Sequence, residues 1–314
     1  MGEAFLTHVP VMPEQCLEAL AVKPDGVYVD ATLGAGGHAL LIADGLSGCG
    51  RLIGIDKDPE AVNRAAERLA HRRGNILLLC GDYRDMDRLL AESGVCRVDG
   101  VLFDLGVSSP QFDDPSRGFS YRFDAPLDMR MNPNDPICAY DVVNRWTAPE
   151  LRRILYSFGE ETHAHLIVAA IEKKRSHSPI LTTGQLAELI ISAVPPAVRR
   201  GKGHPAKRSF QAIRMAVNDE LRGIEIGLST AVRLLARGGR LAVLSFHSVE
   251  DRMVKTTLMK AARGCDCPSD FPQCVCGKRP LIKLLHSKPK TPEPSEMANN
   301  RRARGAKLRA AEKL

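Results

Sequence analysis

The sequence predicts an α/β fold in which a doubly wound parallel sheet is interrupted by a segment made only of helices. Strand and helix patterns alternate through the first third of the chain, as is typical of a parallel sheet. A glycine-rich turn follows the first strand, where such sheets bind nucleotide-like ligands. The alternation stops near residue 112, and a buried strand pattern returns at 240–248. We therefore expect one sheet domain that a helical insertion splits in sequence.

The first predicted strand, 27–33, runs into the turn Gly34-Ala35-Gly36-Gly37-His38. Glycines let the backbone approach a ligand without a Cβ clash, and a helix that begins at His38 would point its N-terminus at polar ligand groups. The turn also fits the dinucleotide fingerprint, a short pattern with many false positives. It predicts a cofactor site without naming the cofactor. For His38, helix capping and ligand contact are equally supported.

Three more strands are predicted at 51–56, 76–80 and 98–104, with a helix at 59–70 between the first two. Asp56 ends the second strand, where a carboxylate can accept both hydroxyl hydrogens of a ribose. Tyr83 and Asp104 follow the next two strands. Because parallel strands end at the same sheet edge, these side chains are expected around one ligand.

The segment after residue 112 lacks any period until helical spacing resumes near 151. Thr182 and Gln185 form a capping-box pattern for a helix at 186–193, which Pro195 would stop. One long helix is then expected from Phe210 to Leu235, ended by the glycine pair 238–239, before the strand at 240–248.

The predicted layout has four segments. These are a first sheet segment at 1–114, a helical insertion for substrate recognition at 115–205, a second sheet segment at 206–290 with a cysteine-rich loop at 265–276, and a basic C-terminal tail at 291–314. The formal net charge of +7 and the tail favour a polyanionic partner, although most such tails are only solvated. No signal-peptide or membrane-helix pattern is present, so we expect a cytoplasmic protein without a membrane partner.

Four of the nine cysteines cluster at Cys265, Cys267, Cys274 and Cys276. Four thiolates in one loop could hold zinc. The one-residue gaps differ from the usual spacing of such sites, so free or disulfide-linked thiols remain the other interpretation. No cysteine lies next to a base that would make it a nucleophile.

Seven blocks of sequence, read together, resemble one known family: 8–12, 30–38, 104–111, 117–120, 126–131, 204–214 and 245–252. The chain resembles, over nearly its whole length, the bacterial small-subunit ribosomal RNA cytosine-N4 methyltransferases of the MraW family. The resemblance implies a class I methyltransferase (Rossmann-like) fold with a helical insertion and S-adenosylmethionine as cofactor, which becomes S-adenosylhomocysteine. It also implies methylation of the N4 amino group of a specific cytidine in 16S ribosomal RNA, on the assembled 30S subunit, tuning the decoding region. Monomer and homodimer both remain open.

The resemblance also implies a set of site residues. Cofactor contacts are expected at Gly34, Gly36, Gly37, His38, Asp56, Tyr83, Asp104 and Gln111. Catalytic candidates are Asp104 and Ser245, as acceptors of the amino hydrogens, and His247, as a partner of the base or a phosphate. RNA contacts are expected at Arg117, Phe119, Arg130, His204, Lys207, Arg208, Arg214, Phe246, Arg301, Arg302 and Arg304.

Several of these residues have an equally ordinary structural interpretation. Arg208 and Arg214 could form ion pairs with acids at 128, 219 or 220, and Phe246 could belong to the core. Many amino-methyltransferases carry an Asp/Asn-Pro-Pro-aromatic tetrad after the fourth strand, and Asp104-Leu105-Gly106-Val107 stands in its place here. Phe246 or Phe119 would then have to supply the stacking face for the target base.

Three other functions compete with this one. A nicotinamide dehydrogenase fits the glycine fingerprint, a methyltransferase could act on DNA or a small molecule, and a non-enzymatic RNA-binding module could use the basic tail. Acids at the ends of three strands favour an enzyme over a pure RNA binder, and the basic tail disfavours a small substrate.

Overall fold

The computed structural model describes residues 9–72, 75–201, 203–265, 267, 273 and 275–314. The chain divides into two compact units. Met1–Gly106 and Leu221–Leu314 form what we call the sheet unit, and Val107–Glu220 forms the helical unit. The insertion expected at 115–205 falls inside the helical unit, which extends further at both ends.

The sheet unit contains seven strands: β1 (Val27–Asp30), β2 (Arg51–Asp56), β3 (Asn75–Cys80), β4 (Val98–Asp104), β5 (Leu235–Ser245), β6 (Ile282–Leu284) and β7 (Lys307–Lys313). Their order is β3-β2-β1-β4-β5-β7-β6. The first five strands are parallel, β7 is antiparallel to β5, and β6 is antiparallel to β7. The predicted α/β class with a doubly wound, Rossmann-like sheet is confirmed.

Fourteen α-helices are assigned in the part of the chain that the structure describes. They are α1 (Pro13–Leu20), α2 (Gly37–Asp44), α3 (Pro59–Leu69), α4 (Met86–Glu92), α5 (Ser109–Asp113), α6 (Ala139–Arg145), α7 (Ala148–Ser157), α8 (Ala164–Arg175), α9 (Thr183–Ala193), α10 (Pro196–Arg199), α11 (Lys207–Val217), α12 (Glu220–Leu234), α13 (Ser248–Ala262) and α14 (Pro294–Asn299). None of the described helices is long and apolar enough to cross a membrane.

The sheet is covered by helices on both faces. Successive strand residues point to opposite faces, and the two cores of the sheet unit follow that alternation. One core contains Val29, Ile53, Val101 and Val243 with residues of α4, α12 and α13. The other contains Tyr28, Leu52, Leu102 and Ala242 with residues of α1, α2 and α3. Burial on both faces explains why the strands read as nearly continuous apolar runs.

The helical unit has its own core, to which α6, α7, α8, α9 and α11 contribute. The N-cap predicted at Thr182 is present, since its hydroxyl accepts a hydrogen bond from Gln185 N at 3.3 Å. Gln185 does not complete the reciprocal box, because its side-chain oxygen accepts from Leu181 N instead.

The single long helix expected from Phe210 to Leu235 is wrong. The chain forms α11 and α12 with a break at Asn218 and Asp219, and Asp219 has a left-handed φ of 48°. The Asn218 amide donates to Met129 O at 2.8 Å and to Arg214 O at 2.9 Å. These side-chain bonds compete with helix continuation.

The helix end expected at the glycine pair 238–239 is also misplaced. Strand β5 already begins at Leu235, and its register against β4 shifts between Val98 and Gly100. Gly238, with φ of 77°, therefore lies in an irregular first part of the strand. Such irregularities are common sites for glycine.

The basic tail expected at 291–314 needs correction in its last part. Lys307–Lys313 is β7, which lies between β5 and β6 in the sheet. Leu308, Ala310 and Ala311 are buried, while Lys307 and Arg309 pair with Asp251 at 3.0 and 2.7 Å. The basic residues of this segment made it look like a solvated tail in the sequence. Two of them, Lys307 and Arg309, instead neutralise the buried Asp251.

Candidate active site at the carboxyl edge of the sheet

Three acids lie at the carboxyl ends of neighbouring parallel strands. Asp30 ends β1, Asp56 ends β2 and Asp104 ends β4. The strand register places Asp30 beside Gly54 of β2 and Leu102 of β4. The structure therefore brings the three carboxylates to one edge, as expected for the ligand-binding edge of such a sheet.

The glycine-rich turn lies between Asp30 and α2. Gly34 and Gly36 have left-handed φ values of 51° and 74°, a conformation that side chains other than glycine rarely adopt. A Cβ on Gly36 would also lie 3.2 Å from the Cβ of Ala65 in α3. The turn can keep this shape, and its close packing on α3, only with glycine at that position.

Asp56 is held by the turn and by the start of α3. Its two carboxylate oxygens accept from Gly34 N at 2.7 Å and from Asp58 N at 2.9 Å. Burial raises the pKa of Asp56 to about 6, and these backbone donors oppose that rise. Each oxygen retains further acceptor capacity, so the side chain can still receive hydroxyl hydrogens from a ligand.

Asp30 and Asp104 are the other two acids at this edge. Asp30 is 1% exposed and accepts from Thr32 N at 3.2 Å. Thr32 Oγ1 in turn accepts from Asp104 N. Burial raises the pKa of each carboxyl to about 7. Negative charge on Asp30 and Glu250 raises the pKa of Asp104 further, so the protonation of these acids is coupled.

His38, in the first turn of α2, faces Asp104. Its Nε2 lies 3.7 Å from Asp104 Oδ2. Burial lowers the pKa of His38 to about 4, so the ring is neutral at pH 7. Among the described residues, His38 Nε2 and Asp104 Oδ1 are buried atoms without a hydrogen-bond partner. Buried polar atoms normally have partners, and these two are free to hydrogen-bond a ligand at this edge.

The end of β5 and the start of α13 complete the edge. Ser245 is buried, and its Oγ donates to Lys307 O at 3.5 Å. His247 is the N-cap of α13 and accepts from Glu250 N at 3.3 Å. Buried Glu250 accepts from Phe246 N at 2.8 Å and faces the turn at Gly106, where a Cβ would lie 3.6 Å from its Oε1. His247 thus caps a helix in this structure.

Tyr83 lies after β3, where the sequence predicts an adenine contact. Its ring packs edge-on against Phe103, with 5.5 Å between ring centroids. Gly223 and Gly227 of α12 make room for the ring, since a Cβ on Gly227 would lie 2.6 Å from Tyr83 Cδ2. These are the contacts of a core residue, and cofactor contact remains a prediction.

In the helical unit, several expected RNA contacts are structural. Arg117 donates to the carbonyls of Arg130 and Met131 at 3.0 and 2.7 Å, and Arg130 is bidentate on Asp128. Phe119 is 4% exposed in the core, so it offers no stacking face for a base in this conformation. Gln111, which was expected to contact the cofactor, is buried, and its side-chain oxygen accepts from Ser108 N in a capping box.

The start of α11 and the residues before it hold the other basic candidates of the helical unit. Lys207 and Arg208 are exposed. Arg214 forms the structural ion pair anticipated as its alternative, with Glu220, at 2.8 and 2.9 Å. His204 stacks on Tyr121, with ring centroids 4.1 Å apart and planes 13° from parallel.

The arginines at 301, 302 and 304 lie in the sheet unit, in a 3₁₀ turn at Arg301–Gly305 before β7. All three are exposed, while Ala303 between them is buried. A Cβ on Gly305 would lie 2.6 Å from the carbonyl oxygen of Phe246. We call this segment the arginine turn. It packs against the end of β5, beside the edge that carries the acids.

The site predictions did not include Asp30 or Glu250 as functional residues. Each has a signal in the sequence: Asp30 ends an apolar strand, and Glu250 stands three residues after a polar residue that follows a buried strand, as in a capping box. Tyr121 was also missed, since a single aromatic residue in an aperiodic loop gives no signal.

Comparison with known proteins assigns the family. The model of the MraW methylase family matches residues 5–314. The "Ribosomal RNA small subunit methyltransferase H" of Heliobacterium modesticaldum is 49% identical over 308 residues, 98% of each chain. The protein of that name from Geobacter sulfurreducens is 50% identical over 308 residues, 98% of this chain and 99% of that one. A crystal structure of a Clostridium thermocellum rRNA-methylase, described as putative, covers 98% of this chain with a TM-score of only 0.46 at 14% identity, too low to add to the fold assignment.

The family match removes the dehydrogenase and the non-enzymatic RNA binder as alternatives. The sheet order, the glycine turn and the acids at the carboxyl edge are what a methyltransferase of this fold requires. The chain belongs to the MraW methylase family and is an S-adenosylmethionine-dependent methyltransferase.

Proposed function

We propose that the enzyme methylates the N4 amino group of a cytidine in small-subunit (16S) ribosomal RNA, within the assembled 30S subunit in the cytoplasm. The observation that carries the proposal is the carboxyl edge of the sheet, where the buried atoms Asp104 Oδ1 and His38 Nε2 have no hydrogen-bond partner among the described residues. Relatives about half identical to this chain are named ribosomal RNA small subunit methyltransferases, which supports ribosomal RNA as the substrate.

The cofactor fits the sheet edge through the turn and Asp56. S-adenosylmethionine supplies a methyl group activated by its sulfonium. We assign the ribose diol to the remaining acceptor capacity of Asp56. Gly34, Gly36 and Gly37 carry no Cβ, so the methionine half can approach the backbone of the turn closely. His38 has an unpartnered Nε2 and, being neutral, can donate or accept one hydrogen bond there.

Asp104 is proposed as the acceptor of an N4 hydrogen. The N4 lone pair is conjugated with the cytosine ring, so alignment of the amino group and withdrawal of its hydrogens are the main needs of the reaction. As the N–CH₃ bond forms and the S–CH₃ bond breaks, one N4 proton must leave. The unpartnered Oδ1 of Asp104 can take it, because a carboxyl with a pKa of about 7 is a suitable base near neutral pH.

Residues after β1 and at the end of β5 are proposed to position this acceptor. Thr32 fixes the Asp104 backbone, and Glu250 fixes the peptide of Phe246. Ser245 is buried and bonded within the sheet, so we assign it to positioning rather than proton transfer. His247 is also assigned a positioning role, because it caps α13.

Binding of RNA is proposed to use exposed cations in both units. In the sheet unit the arginine turn packs beside Phe246, where it can contact phosphates next to a base held at the edge. In the helical unit the cationic candidates are Lys207 and Arg208, both exposed. The half-buried Tyr121–His204 pair is a candidate for ring contacts instead. An unpaired loop base is cheaper to extrude than a paired one, which favours a ribosomal RNA bend over duplex DNA.

The proposed function is tested by methyl transfer from labelled S-adenosylmethionine. Small subunits from cells that lack the enzyme, naked 16S ribosomal RNA and duplex DNA are compared, and the products are digested to nucleosides for mass analysis. We expect N4-methylated cytidine in the subunits. Label in another nucleoside, or only in DNA, would refute the proposed substrate. Label in naked RNA but not in subunits would refute the assembled particle as substrate.

A further inference from the structure

Three cysteines of the loop between α13 and β6 converge in space. The Sγ atoms of Cys265, Cys267 and Cys276 all lie within 4.8 Å of one another, and Cys265 and Cys276 are 3.7 Å apart. No disulfide joins them. Cys274, the fourth cysteine of the sequence pattern, lies outside the described residues.

The sulfur separations match ligands that share one metal ion. Tetrahedral zinc with Zn–S bonds of about 2.3 Å places its sulfurs about 3.8 Å apart. A disulfide would require about 2.05 Å, far below the 3.7 Å between Cys265 and Cys276. Apolar packing does not explain the convergence either, because Cys276 is exposed and the other two are only half-buried.

The base of the loop holds the cysteines in reach of one another. Leu281 N donates to Ala261 O at 2.9 Å, and Lys278 Nζ donates to Lys260 O at 3.2 Å. The chain thus returns to the end of α13 before it enters β6. Within 263–281, the described residues form no helix or strand, and α13 and β6 anchor the two ends of this loop.

The chemistry of the cluster selects the metal. Thiolates are soft ligands that favour zinc or iron–sulfur centres over magnesium or calcium. We propose that Cys265, Cys267 and Cys276 are ligands of a structural zinc ion that fixes the loop joining α13 to β6. The site lies in the sheet unit and uses none of the acids assigned to methyl transfer. The zinc proposal can therefore be tested without assuming the proposed function.

Metal analysis of the full-length protein tests this site. Protein prepared untagged and without chelators is expected to contain one zinc per chain by elemental mass spectrometry. Cys267→Ser and Cys276→Ser are each expected to lose most of the zinc. Cys49→Ser and Cys96→Ser, at exposed cysteines outside the cluster, are the matched controls and are expected to keep it.

Cobalt substitution of the wild-type chain keeps the test decisive if a serine variant fails to fold. Cobalt in this site is expected to show an intense thiolate-to-metal charge-transfer band, which zinc then abolishes. The proposal is overturned if the wild-type chain binds no metal after reconstitution with zinc under reducing conditions. Iron in place of zinc, or full zinc content in both Cys267→Ser and Cys276→Ser, would also overturn it.

Discussion

At the scale of single residues, the carboxylates at the sheet edge have raised pKa values, although only Asp30 is fully buried. Asp30 and Asp104 each have a pKa of about 7 because burial disfavours their charged forms. Neither has an ion pair with an Arg or Lys among the described residues. Residues with such strongly shifted pKa values cluster at functional sites, here at the edge where a ligand is required.

The raised pKa of Asp104 predicts how stability depends on pH. An unfolded aspartate titrates near 3.9, whereas the folded Asp104 carboxyl titrates at about 7. Between these values the folded state binds more protons, so the free energy of unfolding falls as pH rises towards 7 and is constant above it. We expect Asp104→Asn to reduce this fall, measured as the urea midpoint between pH 5 and 8.

Asp25→Asn is the matched control for that series, because Asp25 is an exposed aspartate of the same unit. Its pH profile is expected to run parallel to that of the wild-type protein. A parallel profile for Asp104→Asn would contradict the assignment of a raised pKa to this carboxyl.

At the scale of elements, Glu250 connects the end of β5 to α13. It is fully buried, accepts from Phe246 N, and completes the capping box with His247. Loss of a buried charged acceptor leaves backbone donors unsatisfied. We expect Glu250→Ala to lower the free energy of unfolding by about 1.5–3 kcal/mol, measured by urea denaturation.

Glu225→Ala, at an exposed position of α12, is the control and should change stability by less than about 0.5 kcal/mol. Equal effects of the two substitutions would show that Glu250 does not hold this junction.

The glycines of α12 provide a second test at this scale. Gly227→Ala gains about 1 kcal/mol of helix propensity, but its Cβ would lie 2.6 Å from Tyr83 Cδ2. Overpacking typically costs about 1–3 kcal/mol, so we expect a net loss of stability in thermal melting. Gly48→Ala, with nothing within 4 Å of its Cβ, should be neutral or stabilising. A more stable Gly227→Ala protein would contradict the packing of Tyr83 on α12.

The sequence predicts the elements at the site better than those around it. Strand β2 has the bounds that its apolar run indicates, and Asp56 and Asp104 are at strand ends as expected. The break between α11 and α12 could not be predicted, because it depends on hydrogen bonds from Asn218 to a distant carbonyl. The burial of Phe119 likewise depends on tertiary contacts of its loop.

At the scale of the whole molecule, β7 shows that a cluster of basic residues does not by itself indicate a nucleic-acid-binding tail. A segment rich in Lys and Arg resembles a tail, yet it fills the sheet position between β5 and β6. The alternation of buried Leu308 and Ala310 is weak in sequence because alanine is small. By contrast, the blocks that resemble the MraW family run the length of the chain, and that whole-chain agreement identified the enzyme.

Removal of β7 tests this placement. A chain that ends at Ala306 would expose the edge of β5 and leave β6 without its strand neighbour. We expect it to lose cooperative unfolding in calorimetry and to aggregate, while removal of Leu314 alone, which is half-exposed, should leave the transition intact. A truncated chain with the wild-type melting temperature and only weaker RNA binding would mean that the segment is a tail.

The proposed role of Asp104 is tested by the single-turnover rate of methyl transfer to small subunits by Asp104→Asn. S-adenosylhomocysteine affinity is measured in parallel, and Asp25→Asn is the control. If Asp104 accepts the amino hydrogen, the rate should fall by about 10²–10⁴ while cofactor affinity changes little. A rate within a few-fold of the wild-type enzyme, or a loss explained entirely by weaker cofactor binding, would contradict the proposed role of Asp104.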